Sequence, residues 1–368
     1  MAKSRLHELS EHGQSVWIDS LSRQWLRDGT LDKLIEEDAV VGVTSNPTIF
    51  QKALSGGDWY DDQLRELVGQ EDDLREIFWH LAVADVTEAC DRFRPIWDEG
   101  KGQDGYVSLE VDPDLAYERD TTVEQAMRLH ESVDRPNLFV KIPATEPGLG
   151  AIEESIARGK SINVTLIFSL ARYEAVAEAY IRGLERLVES GGDPSVVASV
   201  ASFFVSRVDT EADRRLDEVG RPDLKGKLAI ANAKLAYERY GAIFSGARWE
   251  ALAAKGATKQ RCLWASTSTK NPEYRDVMYV EELIGPETVN TMPLETIRAF
   301  QHHGEIRGDT ILEGLDEAHA LLEELAEAGV DYDDVVDTLE REGVQKFSDS
   351  LAELLEGIQA KRGELVSA

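Results

Sequence analysis

One lysine, Lys141, lies inside an apolar segment whose composition is typical of a buried strand. The segment covers residues 137–145, and a Pro- and Gly-rich stretch that we expect to form a turn follows at 146–150. A charged ammonium in a dry interior is costly unless it is paired or loses its proton, and desolvation lowers the pKa of a lysine. A neutral lysine amine can attack a carbonyl substrate and form a Schiff base. The alternatives are a snorkelling surface lysine and one half of a structural ion pair.

Other strand-like segments carry polar side chains at alternate positions. Ser108 and Glu110 share one face of a segment whose other face is apolar, and Asn163 and Thr165 repeat this pattern. In a parallel barrel one face of each strand contacts the helices and the other faces the lumen, and active sites form at the carboxyl ends of the strands. We therefore expect one lumen to contain a set of polar residues: Asp19, Thr44, Asn46, Ser108, Glu110, Lys141, Asn163 and Thr165.

Each of these residues also has a structural explanation when it is taken alone. Asp19 could cap a helix, Asn46 before a proline could form an Asx turn, and Thr165 suits a strand by propensity. Barrel interiors are normally filled by Val, Ile and Leu, and buried polar groups need partners. A reaction centre therefore explains the whole set better than a core does.

The elements that must position these residues alternate between strand-length and helix-length segments. The predicted strands cover 16–19, 39–46, 106–111, 137–145, 162–168, 195–205, 261–266 and 288–292. The predicted helices cover 30–37, 58–97, 119–133, 151–159, 170–190, 228–244 and the acidic tail from 310, with Gly329 and Gly343 as breaks. Eight such units favour an α/β fold of the (β/α)8 TIM-barrel type, with additional N- and C-terminal helices and a single domain over 1–368. A doubly wound sheet is the competitor, but no glycine-rich phosphate turn follows the early strands.

Composition excludes several classes of function. The formal net charge of −30 over 368 residues argues against nucleic acid and anionic membranes as partners. No apolar run is long enough to span a membrane, and the first residues do not resemble a secretory signal. With only Cys90 and Cys262, a disulfide framework is not expected and a cytoplasmic location is. The adjacent His302 and His303 are expected in a loop, and no metal site is expected.

Several segments together resemble the transaldolase family, in particular its longer bacterial branch. The resemblance covers nearly the whole chain and is carried by residues 42–50, 108–112, 140–145, 162–169, 265–272 and 276–279. It implies a (β/α)8 barrel that needs no cofactor and moves a dihydroxyacetone unit from sedoheptulose 7-phosphate to glyceraldehyde 3-phosphate. The products would be erythrose 4-phosphate and fructose 6-phosphate, in the non-oxidative pentose phosphate pathway.

The resemblance also implies roles for individual residues. Lys141 would form the Schiff base, Asp19 would be the base, and Glu110 and Thr165 would handle water and its protons. The implied substrate-binding residues are Asn46, Asn163, Ser202, Phe204, Arg207 and Lys270. One departure concerns the phosphate site, because shorter members of the family place an arginine after strand seven where this chain has residues 266–270. We assign Lys270 to that role, with Ser266 or Ser268 assisting.

Two other functions remain open at this point. A class I aldolase that releases dihydroxyacetone from fructose 6-phosphate would use the same lysine. A non-catalytic barrel that binds sugar phosphates would be expected to have lost at least one of the amine, the two carboxylates or the polar cradle. A homodimer is left open.

Overall fold

The computed structural model describes residues 4–367, and eight parallel strands form a closed barrel within them. The strands are β1 (Gln14–Ile18), β2 (Val40–Val43), β3 (Val107–Glu110), β4 (Leu138–Pro143), β5 (Ile162–Ile167), β6 (Ser199–Phe204), β7 (Arg261–Ala265) and β8 (Thr288–Met292). Strands that follow one another in sequence are neighbours in the sheet, and Ile18 pairs with Met292 to close the ring. The predicted barrel is confirmed, and the doubly wound alternative is wrong because the sheet has no open edge.

Sixteen α-helices lie in the described part of the chain. They are α1 (Arg5–Glu11), α2 (Arg23–Asp28), α3 (Thr30–Glu37), α4 (Pro47–Ser55), α5 (Asp61–Val68), α6 (Leu74–Glu99), α7 (Arg119–Val133), α8 (Glu146–Ala157), α9 (Leu170–Glu189), α10 (Ser206–Glu218), α11 (Leu228–Ile243), α12 (Gly246–Ala253), α13 (Met278–Glu282), α14 (Leu294–His303), α15 (Leu315–Glu327) and α16 (Tyr332–Ser367). Helix α1 precedes the barrel, and α15 and α16 follow it. The predicted additional N- and C-terminal helices are therefore confirmed.

The segment after β4 differs from the prediction. Residues 146–150 are the first turn of α8 instead of a separate turn, and Thr145 caps this helix by accepting a hydrogen bond from the Gly148 N–H at 3.1 Å. Pro147 suits a first turn because the N–H that it lacks would have no partner within the helix. A Cβ on Gly148 would lie 2.1 Å from the Pro143 carbonyl oxygen, so only glycine fits there.

Two further predictions in the C-terminal half are wrong. His302 and His303 are not in a loop but are the last two residues of α14. Gly343 does not break the tail, because it lies inside α16 and packs against the barrel, with its hypothetical Cβ 3.0 Å from the Leu166 side chain. Gly329, in contrast, does separate α15 from α16, with a φ of +85° that favours glycine.

Aromatic side chains fill the barrel one layer below the predicted reaction centre. Trp17 and Phe139 stand two residues before Asp19 and Lys141 on their strands, and their ring centroids are 6.1 Å apart. Residue 42 must be glycine here, because a Cβ would lie 2.5 Å from the Trp17 ring. This packed layer separates the carboxyl ends of the strands from their amino ends.

Helix α16 packs over those carboxyl ends, with contacts to α4, α10 and β5. The Thr48 and Ser350 hydroxyls share a hydrogen bond of 2.7 Å between α4 and α16. An ion pair of 3.3 Å joins Arg172 to Glu340 near the start of the helix. The long C-terminal helix is therefore fixed against the mouth of the barrel.

Cys90 and Cys262 are buried free thiols, which confirms that they form no disulfide with each other. Between residues 4 and 367, no helix combines the length and the apolar character that a membrane crossing requires. The single-domain organisation stays a prediction.

Candidate active site

Lys141 projects into the lumen beside Glu110. The two residues pair across β3 and β4, and Nζ donates hydrogen bonds of 3.0 Å to Glu110 Oε2 and to the Ser45 carbonyl oxygen. Their side chains are only 5% and 4% exposed. An isolated ammonium would be unstable at this depth, so the carboxylate partner is what makes the lysine tolerable.

Two acids in the lumen have raised pKa values. Burial is the largest cause for Glu110, and the charge of Lys141 opposes it. Burial likewise raises the pKa of Asp19, against a hydrogen bond of 2.7 Å that Thr44 Oγ1 donates and against the charges of Lys141 and Arg207. Carboxyl groups that bind protons more readily than usual suit general acid–base chemistry.

A short chain of hydrogen bonds orders the neutral polar residues. Ser202 Oγ donates to Asn163 Oδ1 at 2.7 Å, and Asn163 Nδ2 donates to Ser108 Oγ at 3.0 Å. The Thr165 hydroxyl is buried and has no partner among the described protein atoms. A buried hydroxyl of this kind is a natural ligand for a reacting molecule or a water.

The backbone departs from regular geometry next to Thr165. Leu166 has a φ of +59°, and the register between β5 and β6 shifts between Val164 and Ile167. A positive φ at a bulky residue is strained and persists only where the surroundings enforce it. Ser266, directly after β7, shows the same feature with a φ of +56°. Strained residues thus stand at the carboxyl ends of two barrel strands.

A cavity of about 260 Å³ opens at these carboxyl ends. Its lining includes eight of the ten predicted site residues: Asp19, Asn46, Lys141, Thr165, Ser202, Phe204, Arg207 and Lys270. The other two lie behind this wall, where Glu110 contacts Lys141 and Asn163 contacts Ser202. The structure therefore gathers all ten predicted residues in one place. A larger cavity of about 590 Å³ lies at the amino ends of the strands and contains none of them.

Asn46 has both a structural and a site position. Its side chain caps α4 by accepting a hydrogen bond of 3.0 Å from the Ile49 N–H, and the same side chain lines the cavity. The structural explanation for this residue is therefore correct without excluding the functional one, because the amide Nδ2 donor remains available.

The cations of the cavity come from different elements. The Arg207 guanidinium stands 5.2 Å from the Phe204 ring at the start of α10, and Lys270 Nζ donates to Ser268 Oγ at 2.5 Å. The loop that carries Lys270 is tied to α10 by Tyr274, whose hydroxyl donates to Asp213 at 2.5 Å. Helix α10 therefore carries Arg207 and also anchors the loop that contains Lys270.

Sequence reasoning missed several lining residues. Lys52 on α4, and Lys346 and Phe347 on α16, all line the cavity. Thr291 on β8 and Glu295 on α14 line it as well. Lysines on amphipathic helices look like solvated surface residues, so only the packing of α4 and α16 onto the barrel shows where they lie.

No group of three or more His, Cys, Asp or Glu side chains arranged for a metal ion occurs within residues 4–367. The polar side chains that line the cavity include both cations and carboxylates. The absence of a metal from the reaction stays a prediction.

A closed barrel with a polar cavity at the carboxyl ends of its strands is the architecture of the (β/α)8 enzymes. Residues 16–358 match the family model described as Transaldolase/Fructose-6-phosphate aldolase, and the chain belongs to that family. A transaldolase from Frankia alni is 55% identical over 361 residues, which cover 97% of each chain. A transaldolase from Acidothermus cellulolyticus is 55% identical over 95% of this chain and 94% of its own. Transaldolase 2 from Streptomyces avermitilis is 52% identical over 97% of this chain and 96% of its own.

Proposed function

We propose that this chain is a transaldolase that moves a dihydroxyacetone unit from sedoheptulose 7-phosphate to glyceraldehyde 3-phosphate, giving erythrose 4-phosphate and fructose 6-phosphate. The observation that carries the proposal is the buried Lys141 amine, 3.0 Å from Glu110, at the end of a polar cavity with cations around its mouth. The names of the relatives from three genera support it. We assign the reaction to the non-oxidative pentose phosphate pathway of the cytoplasm.

The first step is formation of the Schiff base. Glu110 takes a proton from Lys141, and the Nζ lone pair attacks the C2 carbonyl of the ketose. The C2 hydroxyl of the resulting carbinolamine then leaves as water after it receives a proton, which the raised pKa of Glu110 equips that residue to supply. The unpartnered Thr165 hydroxyl can hold the departing water.

The second step is cleavage of the bond between C3 and C4. Asp19 takes the proton of the C4 hydroxyl, the C4 oxygen forms the aldehyde, and the electrons of the broken bond form an enamine with the C2 iminium. The hydrogen bond from Thr44 keeps Asp19 oriented for this transfer. The aldose phosphate leaves while the three-carbon unit stays bound to Lys141.

The third step requires retention of the enamine until an acceptor arrives. Asn46, Asn163 and Ser202 can hydrogen-bond the hydroxyls of the three-carbon unit, and their amide and hydroxyl groups are held by the contacts described above. Enamine C3 then attacks the aldehyde of the acceptor, Asp19 returns its proton to the new hydroxyl, and hydrolysis releases the product. Arg207 and Lys270 bind the phosphate of each sugar in turn.

Borohydride reduction tests the covalent step directly, since it converts the iminium into a stable secondary amine. Fructose 6-phosphate with borohydride should increase the mass of the protein, and peptide mapping should place the adduct on Lys141. Lys141→Met should abolish the adduct. Lys234→Met is the matched control, because Lys234 is also a buried lysine but lies on α11 outside the cavity. Loss of the adduct in the control alone, or an adduct that persists in Lys141→Met, would reject the assignment.

Release of free dihydroxyacetone is the second candidate function, and the family description that names both activities favours testing it. Fructose 6-phosphate is incubated with and without erythrose 4-phosphate as acceptor. A transaldolase consumes it rapidly only with the acceptor, whereas an aldolase releases dihydroxyacetone at a comparable rate without one. A chain that forms no adduct at all would be a non-catalytic barrel.

A further inference from the structure

Four cations at the mouth of the cavity form no ion pair with a carboxylate within residues 4–367. They are Lys52 on α4, Arg207 on α10, Lys270 after β7 and Lys346 on α16. The chain contains 70 acidic residues against 40 basic ones, so acidic partners are abundant elsewhere. Other surface lysines illustrate this: Lys225, Lys259 and Lys361 each lie 2.8 Å from a carboxylate oxygen.

We propose that Lys346 binds the phosphate group of the substrate together with Arg207, so that the C-terminal helix discriminates phosphorylated from unphosphorylated sugars. The proposal deepens the proposed function and rests on it. It makes Lys346 a specificity-determining residue that comes from outside the barrel strands and the loops that directly follow them.

The packing of α16 fixes the position of Lys346. The next residue, Phe347, is buried with its ring 5.9 Å from Lys141 Nζ, and Gly343 sits one turn earlier against Leu166. One turn later, Ser350 is hydrogen-bonded to Thr48. The backbone on both sides of Lys346 is therefore held, and its long side chain extends from a fixed base to the rim of the cavity.

The charges around Lys346 favour an anion. The positive charge of Arg207 is the largest cause that lowers the pKa of Lys346, and Lys270 and Lys52 act in the same direction. Mutual repulsion of this kind is a cost in the empty site that a phosphate dianion removes when it binds. The acidic lining residues Asp19 and Glu295 oppose these four cations, and Glu110 and Glu342 act on Arg207 from outside the lining, but none of these carboxylates forms an ion pair with any of the four.

Phosphate fits this arrangement better than an uncharged hydroxyl group does. The planar guanidinium of Arg207 can donate to two phosphate oxygens at once, and an ammonium adds a point charge to the remaining oxygen. The cavity extends from Lys141 to these cations, so a sugar whose carbonyl carbon is at the amine can direct its terminal phosphate towards the rim. The competing explanation is that Lys346 only keeps an exposed helix face soluble.

The test compares two variants of the same helix. Lys346→Gln removes the rim charge, and Arg341→Gln removes an equal charge from an exposed residue that does not line the cavity. With saturating fructose 6-phosphate as donor, Lys346→Gln should raise the KM for erythrose 4-phosphate about tenfold and that for erythrose less than about twofold. Inhibition by inorganic phosphate should weaken by a similar factor, while Arg341→Gln should resemble the wild type in every measurement.

Three results would overturn the inference: equal effects on both acceptors, equal effects of both variants, or unchanged inhibition by phosphate. Borohydride trapping separates this failure from failure of the proposed function. A wild type that forms the adduct while Lys346→Gln keeps the wild-type KM for erythrose 4-phosphate rejects only the role of Lys346. Without an adduct, titration of the wild type and both variants with inorganic phosphate, followed by ³¹P NMR, still decides whether Lys346 binds phosphate.

Discussion

The ring of Phe347 lies over the amine of Lys141, with 5.9 Å between Nζ and the ring centroid. Barrel strand β4 and the C-terminal helix α16 therefore meet at the Lys141 amine, although the two residues are 206 positions apart in the sequence. An aromatic face attracts a cation, and the same ring excludes water from one side of the amine. Helix α16 thus forms part of the environment in which an iminium would exist.

Replacing the ring with an aliphatic side chain should weaken the protonated Schiff base. A cation above an aromatic ring gains about 0.5–2 kcal/mol, so Phe347→Leu should lower the yield of borohydride adduct at subsaturating fructose 6-phosphate by about 2- to 30-fold. Phe300→Leu is the matched control, since Phe300 is fully buried on α14 away from the cavity. Equal adduct yields for Phe347→Leu and the wild type would show that the ring does not act on the cation.

Asp19→Asn should separate imine formation from cleavage. The amide keeps the shape of the side chain but cannot take the C4 proton, and loss of a general base typically costs a factor of about 10²–10⁴. We expect the adduct with fructose 6-phosphate to form as before while turnover falls by that factor. Mass spectrometry after borohydride measures the first quantity and a coupled assay measures the second.

Thr44→Val provides a graded comparison for the same step. It removes the hydrogen bond of 2.7 Å that orients Asp19 and leaves the carboxylate in place. Turnover should fall by less than in Asp19→Asn. If Asp19→Asn turned over at the wild-type rate, another residue would have to be the base.

The barrel was predictable because its strands are buried on both faces and therefore read as apolar runs. Helix α10 was missed because most of its residues are charged. The signal that could have revealed it is the spacing of Val208, Ala212 and Leu216, which are all buried and four residues apart. The start of α8 was missed because Pro147 and Gly148 resemble a turn when the contact of Gly148 with the barrel is unknown.

Strand alternation predicted the polar residues of the lumen, and the family resemblance added Ser202, Phe204, Arg207 and Lys270, which all line the cavity. Lys141 and Glu110 share a lumen face because side chains alternate along neighbouring strands, which the sequence displays directly. Lys346 lies on a helix with many charged residues, and Lys52 is the single charged residue of α4. Their position at the cavity depends on how α4 and α16 dock, and that depends on contacts such as Gly343 against Leu166.

Gly343 tests that docking contact, and Gly357 in the same helix is its control. A Cβ at 343 would lie 3.0 Å from the Leu166 side chain and 3.5 Å from the Phe168 ring, whereas one at 357 would meet nothing within 4 Å. Gly343→Val should lower the free energy of unfolding by about 1–3 kcal/mol through overpacking. Gly357→Val should change it by less than about 0.5 kcal/mol, because valine is no worse than glycine in a helix. Urea denaturation measures both, and equal effects would place α16 away from β5.

Asp209 predicts a pH dependence of stability that is independent of catalysis. Its carboxylate is buried on α10, where it accepts hydrogen bonds from the Ala229 N–H at 2.7 Å and from the Tyr279 hydroxyl at 2.9 Å. Burial is the largest cause that raises the pKa of Asp209 to about 7, and the charge of Asp213 adds to it. Burial of the negative charge therefore outweighs the stabilisation that the two donors provide.

The sign of the effect follows from proton binding. Between the ordinary aspartate pKa of 3.8 and about 7, the folded protein binds this proton more tightly than the unfolded chain does. The contribution of Asp209 to the free energy of unfolding must therefore fall as the pH rises through this window, by on the order of 1 kcal/mol per pH unit, and level off above it.

Asp209→Asn keeps an acceptor for Ala229 and does not titrate, so it should lack this decline and be more stable than the wild type at pH 8. Asp349→Asn, at an exposed position of α16, should retain the wild-type decline. Denaturation midpoints of the three proteins at pH 5, 6, 7 and 8 measure the slopes, and parallel curves for Asp209→Asn and the wild type would mean that Asp209 is already ionised throughout.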